Sequence, residues 1–188
     1  KASVSGITFP TAGGLTYGQK LSASILTGGS TEYGTFEWAN GDTVPSVANS
    51  GYDVTFTPST DAAANYDISA TTDTVSITVS KATPTVTVST EISGNAGSRQ
   101  AALTATVTGS GDGDVPAGTI QFVNTTGGST ENIGSAVTLV NGTASFEWTG
   151  LADQAYTVKA VYSGNGNYKT ADSSELEVDT RKQNQAAF

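Results

Sequence analysis

The chain contains no cysteine, no histidine and no methionine. Without cysteine there is no disulfide, no thiol nucleophile and no cysteine zinc site, and without histidine the commonest general base and metal ligand is gone. Basic residues are also scarce: 8 lysines and arginines stand against 17 carboxylates, for a formal net charge of −9. No basic run and no interleaving of basic with aromatic residues occurs, so a polyanion would be repelled and nucleic acid is not an expected partner. Both halves are acidic: 2 − 7 = −5 for residues 1–80 and 4 − 10 = −6 for residues 81–180. This reads as a solubilising surface. No apolar stretch approaches the roughly 18 residues needed to cross a bilayer, and Lys1 opens no basic-then-apolar leader.

What is present is glycine, threonine and alternation. Hydrophobic residues make up 36% of the chain and Gly occurs 22 times, a mixture of strand-favouring threonine with turn formers. Period-two runs recur as "DVTFTP", "TVSITVS", "TVTVS", "LTATVT", "TIQFV" and "YTVKAVY", while no helical apolar period persists beyond a turn or two. The prediction is an all-β chain without helix.

The punctuation repeats. "KASVS" opens the chain, "KATPT" recurs at Lys81 and "RKQNQ" follows "ELEVD" near the end. Between these marks "KLSASILTGG" from Lys20 answers "ALTATVTGSG" from Ala102, "GTFEW" from Gly34 answers "GTIQF" from Gly118, and "GYDVTFTP" from Gly51 answers "AYTVKAVY" from Ala155. The offsets are 82 for Leu21 to Leu103, 84 for Gly34 to Gly118, 104 for Tyr52 to Tyr156 and 102 for Asn65 to Asn167. A step of about twenty residues therefore falls between Phe122 and Tyr156, where "AVTLVNGTASFEW" places two alternating runs around Asn141-Gly142. Asn-Gly suits a type I′ turn, which needs positive φ at both central residues. The second unit is thus expected to carry an added hairpin. The two FEW tripeptides, at Phe36–Trp38 and Phe146–Trp148, are then different strands rather than one repeated position.

The layout predicted is residues 1–80 and 81–180 as two units, with 181–188 opening a further repeat or forming a tail. About seven short strands per unit, without helix, give the pattern of an immunoglobulin-like sandwich, with a closed barrel as the alternative. The expected inward residues of the first unit are Leu21, Ile25, Phe36, Trp38, Val54, Phe56, Ile77 and Val79. In the second they are Val86, Val88, Leu103, Val107, Ile120, Phe122, Leu139, Phe146, Val158, Leu176 and Val178. Phe36, Trp38, Tyr52, Phe56, Ile120, Phe122 and Tyr156 are the expected core anchors, since without a disulfide the sheets must be held by packing.

"VPAGTIQFVN", "IGSAVTLVNGTASFEWTGL" and "AYTVKAVYSGNGNYKTADS" together resemble the bacterial immunoglobulin-like repeats of the group-three type, with P-x-G-T-x-x-F, an N-G-T-A hairpin and A-x-Y-x-G-x-x-N-Y in order. The resemblance covers most of residues 83–180. Residues 1–80, with "LTYGQKLSASILTGG" and "DVTFTP", are similar to shorter repeats found beside such domains. It implies tandem modules of an exported, cell-surface bacterial protein, acting as spacers or adhesive tips, whose partners are neighbouring repeats and, in an adhesin or carbohydrate-binding accessory module, a host protein or glycan.

Residues that carry chemistry are few. Asp112 and Asp114 in "GSGDGD" could supply two oxygens to calcium, the one metal the chain suggests, but a full site takes six to eight ligands and the EF-hand spacing is absent. Asp61, Asp67 and Asp73 are a second such group. No other cofactor is indicated. Glu37 and Glu147 are the tempting carboxylate pair for glycoside hydrolysis; the repeat alignment puts them on separate strands of separate units, facing outward, and no catalytic set is expected. An isopeptide bond would need Lys20, Lys159 or Lys169 in an apolar pocket beside an Asn. The sequons at Asn124 and Asn141 could accept glycans, although the turn explains the second. Tyr66 and Tyr168, from "NYD" and "NYK", are expected to pack over the ends of the sandwiches. A binding role would require an exposed aromatic such as Tyr17, Tyr33 or Trp148, or an open strand edge.

Overall fold

The computed structural model describes residues 1–4 and 6–181. The chain is all-β and divides into two compact units, Lys1–Ala82 with Gly111–Gly113, and Thr83–Ser110 with the residues from Asp114 onward. The expected continuation at 181–188 lies, apart from Arg181, outside the described residues.

In the first unit most strands are short: β1 (Ala2–Ser3), β2 (Thr11–Ala12), β3 (Leu15–Thr16) and β4 (Leu26–Thr27), followed by β5 (Gly34–Trp38) and β6 (Tyr52–Pro58). The helix α1 (Thr60–Asn65) precedes β7 (Tyr66–Asp67), β8 (Thr71–Val75) and β9 (Val79–Ser80). The main sheet has the order β5-β6-β8, with β2 paired to β4, and β3 running parallel to β9.

Two expectations fail here. Absence of helix is corrected by α1, where the Ser59 side chain accepts from the Ala62 amide at 3.1 Å and Asp61 sits in the first turn; a serine cap, an N-terminal carboxylate and three alanines favour one helical turn over extension. Ile25 is 75% exposed rather than inward. A 3-10 turn at Leu21–Ala23 breaks the strand alternation, so Leu21 and Ser24 are buried and Ile25 points out. The Ser24 hydroxyl donates to the Gly13 carbonyl at 2.6 Å, which fixes that phase.

The second unit has long strands. β10 (Thr85–Asn95), β11 (Ser98–Thr108), β12 (Thr119–Asn124), β13 (Glu131–Thr138), β14 (Thr143–Leu151), β15 (Ala155–Tyr162), β16 (Ala171–Asp172) and β17 (Leu176–Asp179) form two sheets. One has the order β10-β11-β14, and the other β13-β12-β15-β16 with β17 also paired to β15. Strict alternation along β11 and β15 buries Ala101, Leu103, Ala105 and Val107 on one and Tyr156, Val158, Ala160 and Tyr162 on the other. Aromatic pairs span the gap a disulfide would otherwise bridge: Phe122 of β12 lies 6.5 Å from Phe146 of β14, and Tyr156 of β15 lies 4.9 Å, edge to face, from Trp148 of β14. Each such pair contributes about 0.5–1.5 kcal/mol beyond its buried area.

The Asn141-Gly142 turn forms as expected, with φ of 50° and 76° and mutual hydrogen bonds between Val140 and Thr143 at 2.8 and 3.0 Å. The hairpin, however, does not stay together. β13 leaves it to pair with β12, and β14 leaves it to pair with β11 in the other sheet. The extra twenty residues are therefore a corner that adds an edge strand to each sheet.

Of the expected anchors, Phe56, Ile120, Phe122 and Tyr156 are buried. Phe36, Trp38 and Tyr52 are only half-buried; for the first two the reason is that β5 lies at the edge of its sheet.

Tyr162 is fully buried and its hydroxyl donates to the Ala117 carbonyl at 2.6 Å. Burial, and after it the neighbouring Tyr168, pushes its pKa above the ordinary 10.0. The unfolded chain releases this proton first, so above about pH 10 it binds fewer protons than the folded chain and stability falls as pH rises. Urea midpoints at about pH 8 and about pH 11 should show that loss in the native chain, and Tyr162→Phe should reduce its slope. An unchanged slope would contradict the assignment.

Candidate functional site

The structure disperses most of the sequence candidates. Glu37 on β5 and Glu147 on β14 are exposed, in different units. Asp112 and Asp114 are exposed as well, and fall in the first and second unit respectively. Among the described residues no group of three or more Asp, Glu, His or Cys side chains is placed to hold a metal ion. Lys20 ends on Asp42 at 3.0 Å and Lys159 on Asp172 at 2.7 Å, so each amine meets a carboxylate rather than an Asn carboxamide.

The aromatics separate into core and surface. Tyr17 is 4% exposed and so offers no binding platform: β3 leads it inward and its amide donates to the Ser80 carbonyl at 2.9 Å. Tyr33 stacks edge to face on Tyr66 at 5.3 Å, both half-buried. Tyr168 is 1% exposed and donates to the Asp114 carbonyl at 2.8 Å. Trp148 is half-buried against Tyr156.

Two open grooves of the first unit retain chemistry. One, of about 330 Å³, is lined by residues that include Asp67, Ser69, Thr72 and Asp73, bringing together two of the three carboxylates around "NYD". The other, of about 370 Å³, is lined by Ser22, Ser24, Leu26, Gly41 and the β5 residues Phe36, Glu37 and Trp38. The Trp38 indole donates to the Ser24 carbonyl at 3.3 Å, which holds the ring against the groove wall. Phe36 is fixed between Phe9 at 5.4 Å and Phe56 at 5.1 Å.

This second groove follows the edge of β5 away from β6. Ser59 donates to the Tyr33 carbonyl and Ala39 to the Asp53 carbonyl, both at 2.9 Å, so Tyr33, Thr35, Glu37 and Ala39 direct their backbone groups toward β6. In an antiparallel ladder the alternate residues face the other way; Gly34, Phe36 and Trp38 therefore turn their amides and carbonyls outward. Pro58, which has no amide, stands opposite Gly34 where none is required. Among the described residues no second strand pairs with β5.

In the second unit the corresponding edge is covered, since β12 has β15 on one side and β13 on the other. The strand pairing there completes a β-sandwich with a Greek-key type split of its strands between two sheets. Residues 89–181 match the bacterial Ig-like domain (group 3). The matched span includes β13 and β14, so the corner strands belong to the region that resembles this family. Comparison with curated proteins and with solved structures returns no match.

Sequence reasoning foresaw exposed aromatics or an open edge as the requirement for binding but did not locate the edge. The signal was available in the missing twenty residues: a unit without the corner has no strand to cover β5.

Proposed function

We propose that the two units are non-catalytic structural modules of a multi-repeat bacterial surface protein, extending or displaying an adhesive region in contact with neighbouring repeats. The observation that carries this reading is the parallel pairing of β3, near the start of the first unit, with β9 at its end. Leu15 donates to the Thr78 carbonyl at 3.0 Å and Tyr17 to the Ser80 carbonyl at 2.9 Å. Tension applied through the chain ends would pull these strands in opposite directions and load the bonds together in shear, which suits a module that transmits force. The match of residues 89–181 to the Ig-like domain and the separation of Glu37 from Glu147 into different units support the same reading.

Single-molecule stretching of the chain should give two discrete unfolding events, each releasing about 250–300 Å of contour length. Smooth extension at low force would contradict it. The alternative, an adhesin or carbohydrate-binding accessory module, is favoured by the half-exposed Phe36 and Trp38 beside the groove. Binding of the folded chain to host-matrix proteins or arrayed glycans would support that alternative; clean negatives would favour the spacer.

A further inference from the structure

We infer that the free edge of β5 is a docking site for one extended, basic segment of a partner protein, which adds a strand to the β5-β6-β8 sheet. The two units supply the reasoning between them. Ile120 and Phe122 occupy β12 with their outward backbone groups covered by β13, whose Val137 and Ile133 stand directly opposite them. Ile133 is buried there and Val137 half-buried. In the first unit the same kind of strand ends at the same kind of edge, but the chain runs from β5 to β6 through residues 39–51 with no strand between. Part of that connection turns aside to the facing layer, where Leu21 donates to the Thr43 carbonyl and Ser22 to the Gly41 carbonyl, both at 2.9 Å. This leaves the groove between Ser22, Ser24 and the ring of Trp38 open along the edge.

An edge of this kind accepts backbone hydrogen bonds from any extended chain, and the groove selects alternate side chains. On the inner face the incoming residues meet Phe36, Trp38 and Leu26, and the second unit shows that β-branched apolar residues fit that position. On the outer face they meet Glu37, with Glu32 exposed before the strand begins. The unit carries 2 − 7 = −5, and one of its two lysines, Lys20, is already paired to Asp42. Lysine or arginine on the outer positions is therefore attracted. A second copy of this chain, at −9, would bring carboxylates against carboxylates.

The test is amide hydrogen exchange on the full chain, with and without a blocked ten-residue peptide alternating valine and lysine. Binding should slow exchange at Phe36 and Trp38 by at least about tenfold and leave Thr35 and Glu37, already bonded to β6, unchanged. A valine–glutamate peptide, or the valine–lysine peptide with a central proline, should fail to produce this pattern. Glu37→Lys, an exposed change that leaves the core intact, should weaken the basic peptide by about three- to tenfold at low salt. Absence of protection at Phe36 and Trp38, equal binding of the acidic peptide, or protection that grows with protein concentration in the absence of peptide would each overturn the proposal.

Discussion

Phe122→Ala is expected to destabilise the second unit by about 3–5 kcal/mol. The side chain is fully buried, and its neighbours cannot collapse into the space it leaves. On its own sheet it stands opposite Ile133 of β13 on one side and Ala160 of β15 on the other, each paired to β12 by a ladder. Across the sandwich it meets Phe146, whose ring already covers Gly134 so closely that a Cβ there would overlap it. Denaturant unfolding followed by signals of the second unit should show a lower midpoint at nearly unchanged slope. A loss below about 1 kcal/mol would mean that the inter-sheet aromatics are not what holds the cysteine-free sandwich together. Phe36→Ala in the first unit should cost less, because Phe36 is half-buried at an open edge and part of its surface already meets water.

The second large effect is at the turn that sends the chain from one sheet to the other. Gly142 has φ of 76°, and a Cβ at that position would lie 2.9 Å from the Val107 carbonyl oxygen and 3.1 Å from Val115 Cγ1. The same Val107 donates its amide to the Gly142 carbonyl at 2.8 Å, so the turn cannot move away without breaking a bond to β11. Gly142→Val combines left-handed backbone strain of about 1–2 kcal/mol for a non-glycine residue with overpacking of about 1–3 kcal/mol. A total near 3 kcal/mol is expected. Asn141→Gly keeps the required positive φ and should change stability by only a few tenths of a kcal/mol. If Gly142→Val proved equally mild, the turn would not be what commits β13 and β14 to different sheets.

Much of this architecture was readable before any coordinates. Alternation in "YTVKAVY" foretold that Tyr156, Val158, Ala160 and Tyr162 would share a face, because the strand period is a property of the backbone and not of its surroundings. Asn141-Gly142 foretold a turn for the same local reason. The repeat alignment survived less cleanly. Pairing puts Phe36 opposite Phe56 and Phe122 opposite Ala160, and Phe56 and Ala160 are 104 apart, the Tyr52-to-Tyr156 offset. By register, then, Phe36 answers Phe122 at an offset of 86, where matching the Gly-Thr pairs gave 84. The slip is two residues, so every side chain keeps its face and the inward assignments were unaffected.

Where local reading failed, a short-range competitor or a missing neighbour was the cause. Ile25 lost its inward place to a single 3-10 turn, and Thr60–Asn65 became helical through a cap and three alanines that strand periodicity ignores. Phe36 and Trp38 were assigned to the correct face, yet their burial depended on whether another strand lay beside them.

The sequence by itself determined most of the strands and most of their inward faces, the acidic surface, the absence of disulfides and the one turn that needs Asn-Gly, because each follows from residue chemistry over a few positions. Only the tertiary structure decided which strands became neighbours. The same hairpin sequence that looked like an appendage supplies one strand to each sheet of the second unit, and its absence from the first leaves β5 with backbone donors and acceptors facing outward. Strand pairing is set by contacts between residues distant in the chain, and the open edge exists only in relation to a strand that is not there.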